Sequence, residues 1–213
     1  MYGHAMDYLN RVHLDSASLR VLAHPLRSRI LGRLRGEGPA TATRLAARLG
    51  TNSGTTSYHL RKLAEVGLVV EDEASGDLRD RWWRAAHQIT SWSQAEFQDD
   101  PDDRAAADWL IGYHLRTMTQ KTQDWLDASP DWPVEWLRAA ELSDLKVYLT
   151  PNQTKAMSAE LHAVILRYLR LGQAVEDAEN PKTANNLTPP IDPTAPARVF
   201  VALHLHPDVG APG

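Results

Sequence analysis

Four short amphipathic segments, separated by residues that end helices, fill the first third of the chain and constrain its fold more than any other feature. The breakers are, in chain order, His24-Pro25, Gly36-Glu37-Gly38-Pro39, Gly50 and Gly67. Proline cannot continue a helix, and glycine readily adopts the left-handed conformation that closes one. Asp15 or Ser16 and Thr41 are suitable N-caps, and Pro25 can occupy a first helical position. The spacing therefore predicts four helices, of which the last spans residues 53–66.

Beyond Gly67 the apolar residues change from a helical to an extended period. Leu68-Val69-Val70 is a β-branched run, residues 74–77 have turn composition, and residues 78–84 form a second extended run. This pattern predicts a β-hairpin. Trp82 and Trp83 point to opposite faces of its second strand, so one of them is expected in the core. Short helices that meet across a tight turn and precede a hairpin outline a winged helix-turn-helix.

Several separated motifs in this region resemble the ArsR/SmtB type of bacterial winged-helix transcription regulator. They are Leu45-Ala46-Ala47-Arg48-Leu49-Gly50, Ser57-Tyr58-His59-Leu60-Arg61-Lys62-Leu63 and Gly67-Leu68-Val69. The segment from His24 to Leu31 is similar to the opening helix of that family, and the resemblance covers about residues 14–87. It implies a homodimer that binds double-stranded DNA at a pseudo-palindromic operator and acts as a repressor.

The net charge of −4 conceals an uneven distribution along the chain. Residues 11–87 hold 13 Lys and Arg against 8 Asp and Glu, whereas residues 88–213 hold 10 against 18. A basic part followed by an acidic part is expected when one region faces phosphate and the other has a different task.

The fourth predicted helix carries the candidate DNA-contact residues. When Thr56, Leu60 and Leu63 turn inward, the outward set is Ser53, Gly54, Thr55, Ser57, Tyr58, Arg61 and Lys62. A helix fits the major groove, where hydroxyls bind bases or phosphates, Arg61 can read guanine and Lys62 can hold phosphate. For any single residue, an ordinary solvated helix face is the alternative.

The predicted hairpin carries three further cations. Arg79 and Arg81 are predicted to contact DNA phosphates, while the role of Arg84 is left open. Asp77 and Asp80 lie among these arginines and can neutralise two of them.

The remaining sequence predicts three helices and two strands. The helices are expected over 102–128, over 134–141 and from Pro151 to near Gly172, and the strands over 145–149 and 198–206. The predicted fold class is therefore mainly α with small β: a winged helix-turn-helix followed by a helical C-terminal domain with a two-stranded antiparallel element. The predicted divisions are an N-terminal arm (1–13), a DNA-binding domain (14–87), an acidic linker (88–103), a C-terminal domain for dimerisation and ligand binding (104–206) and a tail (207–213).

The long helix over 102–128 is the candidate dimerisation element. An apolar stripe of this length needs a partner surface, and a two-fold mate presents the same stripe. The residues assigned to it are Leu110, Ile111, His114, Leu115, Met118 and Trp125. Packing against the chain's own helix around Leu161 is the alternative. The aromatic residues Trp109, Trp125, Trp132, Trp136 and Tyr148 are candidates to line a pocket for a small-molecule effector, whose existence the sequence leaves open.

Other functions find less support in the sequence. The chain has no cysteine and lacks the GxSxG, P-loop and HExxH motifs, so we expect no enzyme, no catalytic residue and no cofactor. His204 and His206 share a face of a predicted strand, but no third ligand is visible, so no metal site is assigned. A ligand- or metal-responsive sensor and a protein-interaction module on a winged-helix scaffold remain the alternatives. The absence of a signal-peptide core in the first ten residues and of any run near 20 apolar residues predicts a soluble cytoplasmic protein without a membrane partner.

Overall fold

The computed structural model describes residues 11–73, 80–179, 196–197 and 199–207. The chain divides into two compact units, Met1–Leu115 and Arg116–Gly213, and the boundary falls inside one long helix. The elements that begin in the first unit are β1 (Arg11–His13), α1 (Ser16–Leu22), α2 (Pro25–Glu37), β2 (Ala40–Thr41), α3 (Ala42–Leu49), α4 (Ser53–Glu65), β3 (Val69–Glu71), β4 (Trp82–Ala85), β5 (Ile89–Ser91), a 3-10 helix (Gln94–Phe97) and α5 (Pro101–Ala128).

The four predicted helices form, and their ends follow from local side-chain chemistry. Asp15 and Ser18 make a reciprocal capping box at the start of α1, and the Thr41 side chain caps α3. His24 lies between α1 and α2. It caps α2, because its Nδ1 accepts a hydrogen bond from the Leu26 backbone N–H. Gly50 closes α3 in the left-handed conformation, with φ of 65°.

The predicted hairpin forms, and it is part of a three-stranded antiparallel sheet that contains one further strand. β4 lies in the centre, with β3 on one side and the two-residue β2 on the other. Sequence patterning does not predict β2, because two residues are too few to show a period. Trp83 is buried and Trp82 half-buried, which confirms that one of the two tryptophans belongs to the core. We call β3, β4 and the residues between them the wing.

One apolar core holds the first unit together. Its largest fully buried apolar side chains come from α1 to α4, from β3 and from the residues just before α1 and β3: Leu14, Leu19, Ile30, Leu45, Leu60, Leu63, Leu68 and Val69. Phe97, Ala107 and Leu110 extend this core, so the N-terminal part of α5 packs on the winged helix. Residues 88–103, predicted as a linker, contain β5, which pairs in parallel with β1, and the 3-10 helix that buries Phe97.

The second unit contains the remainder of α5, a 3-10 helix (Ser129–Asp131), α6 (Val134–Ala139) and α7 (Pro151–Glu179). α7 does not end near Gly172, because one glycine costs a long helix only about 1 kcal/mol. The two predicted strands are also not formed: residues 140–150 and the described residues 199–207 have no regular secondary structure. Leu145 and Val147 alternate as a strand would, yet both are more than half exposed, and an isolated pair of strands is only marginally stable.

Over the described residues, none of the helices combines the length and the apolar character needed to cross a lipid bilayer.

Candidate nucleic-acid interface

The inner side of α4 is anchored in the core as predicted. Thr56, Leu60 and Leu63 are fully buried, and the Thr56 hydroxyl donates a hydrogen bond of 3.0 Å to the Asn52 carbonyl. Asn52 also caps the helix by accepting from the Thr55 backbone N–H at 2.8 Å. These contacts fix the rotation of α4 about its own axis, which decides which residues face outward.

The outer side of α4 is polar. None of its predicted DNA-contact residues is buried: Ser53, Gly54, Tyr58 and Arg61 are exposed, and Thr55, Ser57 and Lys62 are partly exposed. We call these seven residues the recognition face. The structure thus brings together on one helix surface all the α4 residues that the sequence assigned to DNA.

The two cations of the recognition face differ in how much they are engaged within the chain. Arg61 Nε donates to the Ser57 carbonyl over 3.3 Å, which leaves the end of the guanidinium exposed. Lys62 Nζ lies 2.7 Å from a Glu65 carboxylate oxygen, and this contact raises the pKa of Lys62. Lys62 therefore has to exchange Glu65 for a phosphate if it is to contact DNA, whereas Arg61 gives up only one long hydrogen bond.

Two histidines lie in contact on the buried side of α4, with their ring planes tilted by 40°. The rings of His24, at the start of α2, and His59, on α4, lie 4.7 Å apart between centroids. Burial lowers the pKa of each, and the cationic Arg27 lowers it further. His59 Nδ1 is buried and, among the described residues, has no hydrogen-bond partner. The neutral forms of both rings are therefore favoured at pH 7, and no sequence pattern predicts their contact.

The described arginines of the wing are paired with acids on β3 and just after it. Arg81 Nη1 lies 3.4 Å from Glu71, and Arg84 Nε lies 4.0 Å from Asp72. The acids that the sequence suggested, Asp77 and Asp80, are not the ones in these pairs: adjacent antiparallel strands place Glu71 and Asp72 beside β4 instead. Arg79 and Asp77 lie outside the described residues.

An additional cation, not predicted from the sequence, connects the helix-turn-helix to the wing. The Arg44 guanidinium of α3 is stacked over the Trp82 ring of β4, with 4.6 Å between its central carbon and the ring centroid. This contact depends on the pairing of β2 with β4. The sequence pattern does not predict that pairing, so it does not place Arg44 beside Trp82.

The predicted dimerisation residues do not form one open stripe. Leu110 is only 4% exposed and belongs to the chain's own core, which removes it from the candidate set. His114 and Leu115 are exposed, and Ile111 is half-buried. In the second unit, Met118 Sδ lies 2.9 Å from His204 Nε2, and Trp125 packs against Trp132.

The five aromatic residues predicted to line a pocket do not form one group. Trp125, Trp132 and Trp136 form an edge-to-face series with centroid separations of 5.5 and 5.9 Å. Trp109 stacks instead on Tyr113 in the first unit, and Tyr148 is fully exposed. The indole N–H groups of Trp132 and Trp136 are buried and lack an acceptor among the described residues.

Within the described part of the chain, no three or more His, Asp or Glu side chains are grouped so as to hold a metal ion. His206 Nδ1 lies 3.0 Å from the Pro207 carbonyl, and His204 Nε2 lies 2.9 Å from Met118 Sδ.

Comparison with known proteins gives a family match inside the winged helix and a curated relative. A family model described as a helix-turn-helix domain matches residues 22–72. The HTH-type transcriptional regulator NmtR of Mycobacterium tuberculosis is 40% identical over 81 residues, which are 34% of this chain and 67% of that regulator.

Solved structures with similar folds are more distant. A mutant of Lactococcus lactis ZitR in its apo form is 16% identical with a TM-score of 0.31, covering 68% of this chain and 83% of that one. A MarR family regulator from Neisseria meningitidis is 18% identical with a TM-score of 0.28, covering 74% of this chain and 79% of that one. At scores this low, the family assignment depends on the sequence matches.

Proposed function

Because the chain belongs to the ArsR/SmtB type of helix-turn-helix transcriptional regulators and is a DNA-binding regulator, we propose that it acts as a homodimeric repressor in the cytoplasm. In this proposal, each subunit places the recognition face of α4 in the major groove of one operator half-site. The wing contacts the phosphates beside it. The family is one of regulators, and we propose no catalytic activity for this member.

The observation that carries the proposal is the two-sided character of α4. Its inner side is locked by fully buried Thr56, Leu60 and Leu63, while its outer side presents hydroxyls and the Arg61 guanidinium. A rigid helix with exposed donors and acceptors is suited to read base edges, since their pattern in the major groove distinguishes all four base pairs. Arg61 is the residue assigned to guanine, because its fork can bind the O6 and N7 atoms together.

A homodimer is proposed because one winged helix contacts too few base pairs for high specificity. Two copies related by a two-fold axis read two half-sites about one helical turn apart. The exposed part of α5 around His114 and Leu115 is the proposed contact, with Leu110 excluded because it is buried in the core. In a two-fold dimer the same patch of each subunit forms the interface, so this part of α5 contacts its counterpart in the second copy.

The DNA-binding proposal is tested on a duplex selected from a random pool with the full-length protein. Fluorescence anisotropy should show tight binding to this duplex and much weaker binding to a scrambled one. Arg61→Ala should reduce that discrimination by about 1–3 kcal/mol, because a bidentate base contact is lost. The control is Arg33→Ala, on α2, where the arginine is paired with Glu37. Equal affinity of the wild type for selected and scrambled DNA would contradict the proposal.

The dimer is tested by sedimentation equilibrium of the full-length chain. The wild type should sediment as a dimer at micromolar concentration, and Leu115→Glu should shift it towards the monomer, since a charge placed in an apolar interface is left without a partner. Asp108→Asn, a surface change earlier on the same helix, is the control. A monomeric wild type would remove the dimer from the proposal and leave the DNA contacts to be judged separately.

Control by a small-molecule effector is proposed for the aromatic series of the second unit. Within the described part of the chain, the buried indole N–H groups of Trp132 and Trp136 have no acceptor, and a ligand that carries an acceptor would satisfy them. A thermal-shift screen with compounds that carry hydrogen-bond acceptors should find one that raises the melting temperature of the wild type but not of Trp136→Phe. An equal rise for both proteins would place that ligand elsewhere. Such a ligand changes DNA binding only if it favours one dimer arrangement over another.

A further inference from the structure

The Arg44–Trp82 stack is built by the corner where β2 passes into α3. Thr41 ends β2, pairs with Trp82 across the sheet and caps α3 by accepting a hydrogen bond from the Arg44 backbone N–H at 3.3 Å. The same residue thus fixes the position of Trp82 and the start of the helix that carries Arg44. Because the strand pair and the cap share Thr41, the arginine side chain is directed over the indole ring.

Arg44 differs from the neighbouring cations in what it contacts. Arg33 and Arg48 share the Glu37 carboxylate, and Lys62 is paired with Glu65. Across residues 11–73 and 80–115, by contrast, the structure gives Arg44 no ion pair and no hydrogen bond from its guanidinium; its contact is the face of Trp82. A guanidinium that stacks on a ring keeps all its N–H donors free at its edge, where they suit the two oxygens of a phosphate.

The location of Arg44 matches the part of a helix-turn-helix that crosses the DNA backbone. When the second helix of the motif lies in the major groove, the first helix passes over the phosphates beside it. α3 is that first helix, and Arg44 is an exposed residue in its first turn. Trp82 belongs to the wing, so the stack joins the two DNA-facing elements of the domain.

We propose that Arg44 binds a phosphate of duplex DNA and that Trp82 is its positioning residue, which holds the guanidinium ready and couples α3 to the wing. This inference depends on the proposed function, since it adds a backbone contact to the interface formed by the recognition face. Stacking reduces the side-chain freedom that Arg44 would otherwise lose on binding. A contact to phosphate carries no sequence information, so its loss should weaken binding to all duplexes alike.

The test measures the affinity of the full-length protein for the selected and the scrambled duplex over a series of salt concentrations. Arg44→Ala should weaken binding to both by a similar factor, about tenfold at low salt, and reduce the slope of log K against log salt by about 1. Arg44→Lys should keep the slope but lose several-fold in affinity, because an ammonium has neither the planar face nor the fork. Arg33→Ala, with the same change of charge at an arginine already paired with Glu37, should change the slope less.

The role of Trp82 is tested by a double-mutant cycle with variants whose circular dichroism matches the wild type. Trp82→Phe, which keeps an aromatic face, should bind nearly as well as the wild type, whereas Trp82→Leu should lose part of the Arg44 contribution. In the Trp82→Leu background, Arg44→Ala should then cost less than in the wild type. Equal costs in the two backgrounds would overturn the positioning role.

Failure of this proposal is distinguishable from failure of the proposed function. If Arg61→Ala lowers discrimination while Arg44→Ala changes neither affinity nor salt slope, the phosphate contact at Arg44 is overturned and the recognition face stands. If the wild-type protein binds neither duplex, both proposals are overturned together.

Discussion

The two units of the chain differ in how completely they bury their apolar residues. In the first, leucines from α1 to α4 and two residues around the start of β3 are almost without exposed surface. In the second, Leu166 is the one buried apolar residue among those described, while Leu126, Tyr168 and Phe200 are about half exposed or more. The comparison indicates that the winged helix is specified by its own contacts, whereas the second unit retains apolar surface that a partner or ligand could cover.

The largest expected effect comes from truncating the core of the first unit. Leu60→Ala, at a fully buried position of α4, should lower the free energy of unfolding by about 2–5 kcal/mol, because it leaves a cavity. The matched change Leu142→Ala, at a mostly exposed position of the second unit, should stay within about 0.5 kcal/mol. Urea denaturation followed by circular dichroism measures both. Similar losses at the two positions would abolish the contrast between the units.

Acid should destabilise the first unit through its partly buried histidines. Burial, aided by nearby arginines, lowers the pKa of His24, His59 and His87 below the ordinary value of 6.5. As pH falls below that value, the unfolded chain binds protons that the folded chain excludes, so stability decreases; above it, this contribution is constant. The effect should be smaller than that of core truncation, and thermal melts between pH 7.5 and 5.5 measure it.

A variant that keeps the cap isolates the contribution of His24. His24→Asn retains an N-capping side chain but cannot titrate, so its melting temperature should depend less steeply on pH than that of the wild type. An unaltered slope in His24→Asn would show that the His24–His59 pair does not carry the acid sensitivity.

A left-handed glycine sets the turn between α3 and α4. Gly50→Ala should cost about 1 kcal/mol, because φ is 65° at this position and a Cβ is disfavoured there. The added carbon itself meets no atom within 4 Å, so the loss reports backbone strain rather than a clash. Chemical denaturation measures it, and Gly50→Asn, which tolerates this conformation better, should lose less. Equal losses for the two variants would argue against strain.

The smallest effects are expected from glycines inside helices, one in each unit. Gly32 in α2 and Gly172 in α7 both have open space where a Cβ would lie. Replacing either by Ala should stabilise its own helix by about 0.5–1 kcal/mol. Amide hydrogen exchange should therefore show slower exchange in α2 for Gly32→Ala and in α7 for Gly172→Ala. Unchanged exchange in α7 would indicate that Gly172→Ala does not stabilise this helix against the opening that permits exchange.

Much of the first unit was predictable because its signals are local. The caps at Asp15 and Thr41, the break at His24-Pro25 and the turn at Gly50 each act within a few residues, so the helix bounds follow from the sequence. The recognition face was predictable for the same reason, since the positions of Thr56, Leu60 and Leu63 fix which side of α4 is buried. The strand over 145–149 was predicted from alternation alone, and it failed because a strand also requires a neighbour to pair with.

The sequence by itself determined the order of the elements and the polar face of α4, because capping, turn formation and helical periodicity depend on residues close in the chain. Tertiary structure decided the contacts made over long separations: the contact of His24 with His59, the burial of Leu110 in the core, the pairing of β2 with β4 and, through it, the placing of Arg44 over Trp82. The physical reason is that such contacts depend on the register and packing of whole elements, which no local pattern specifies.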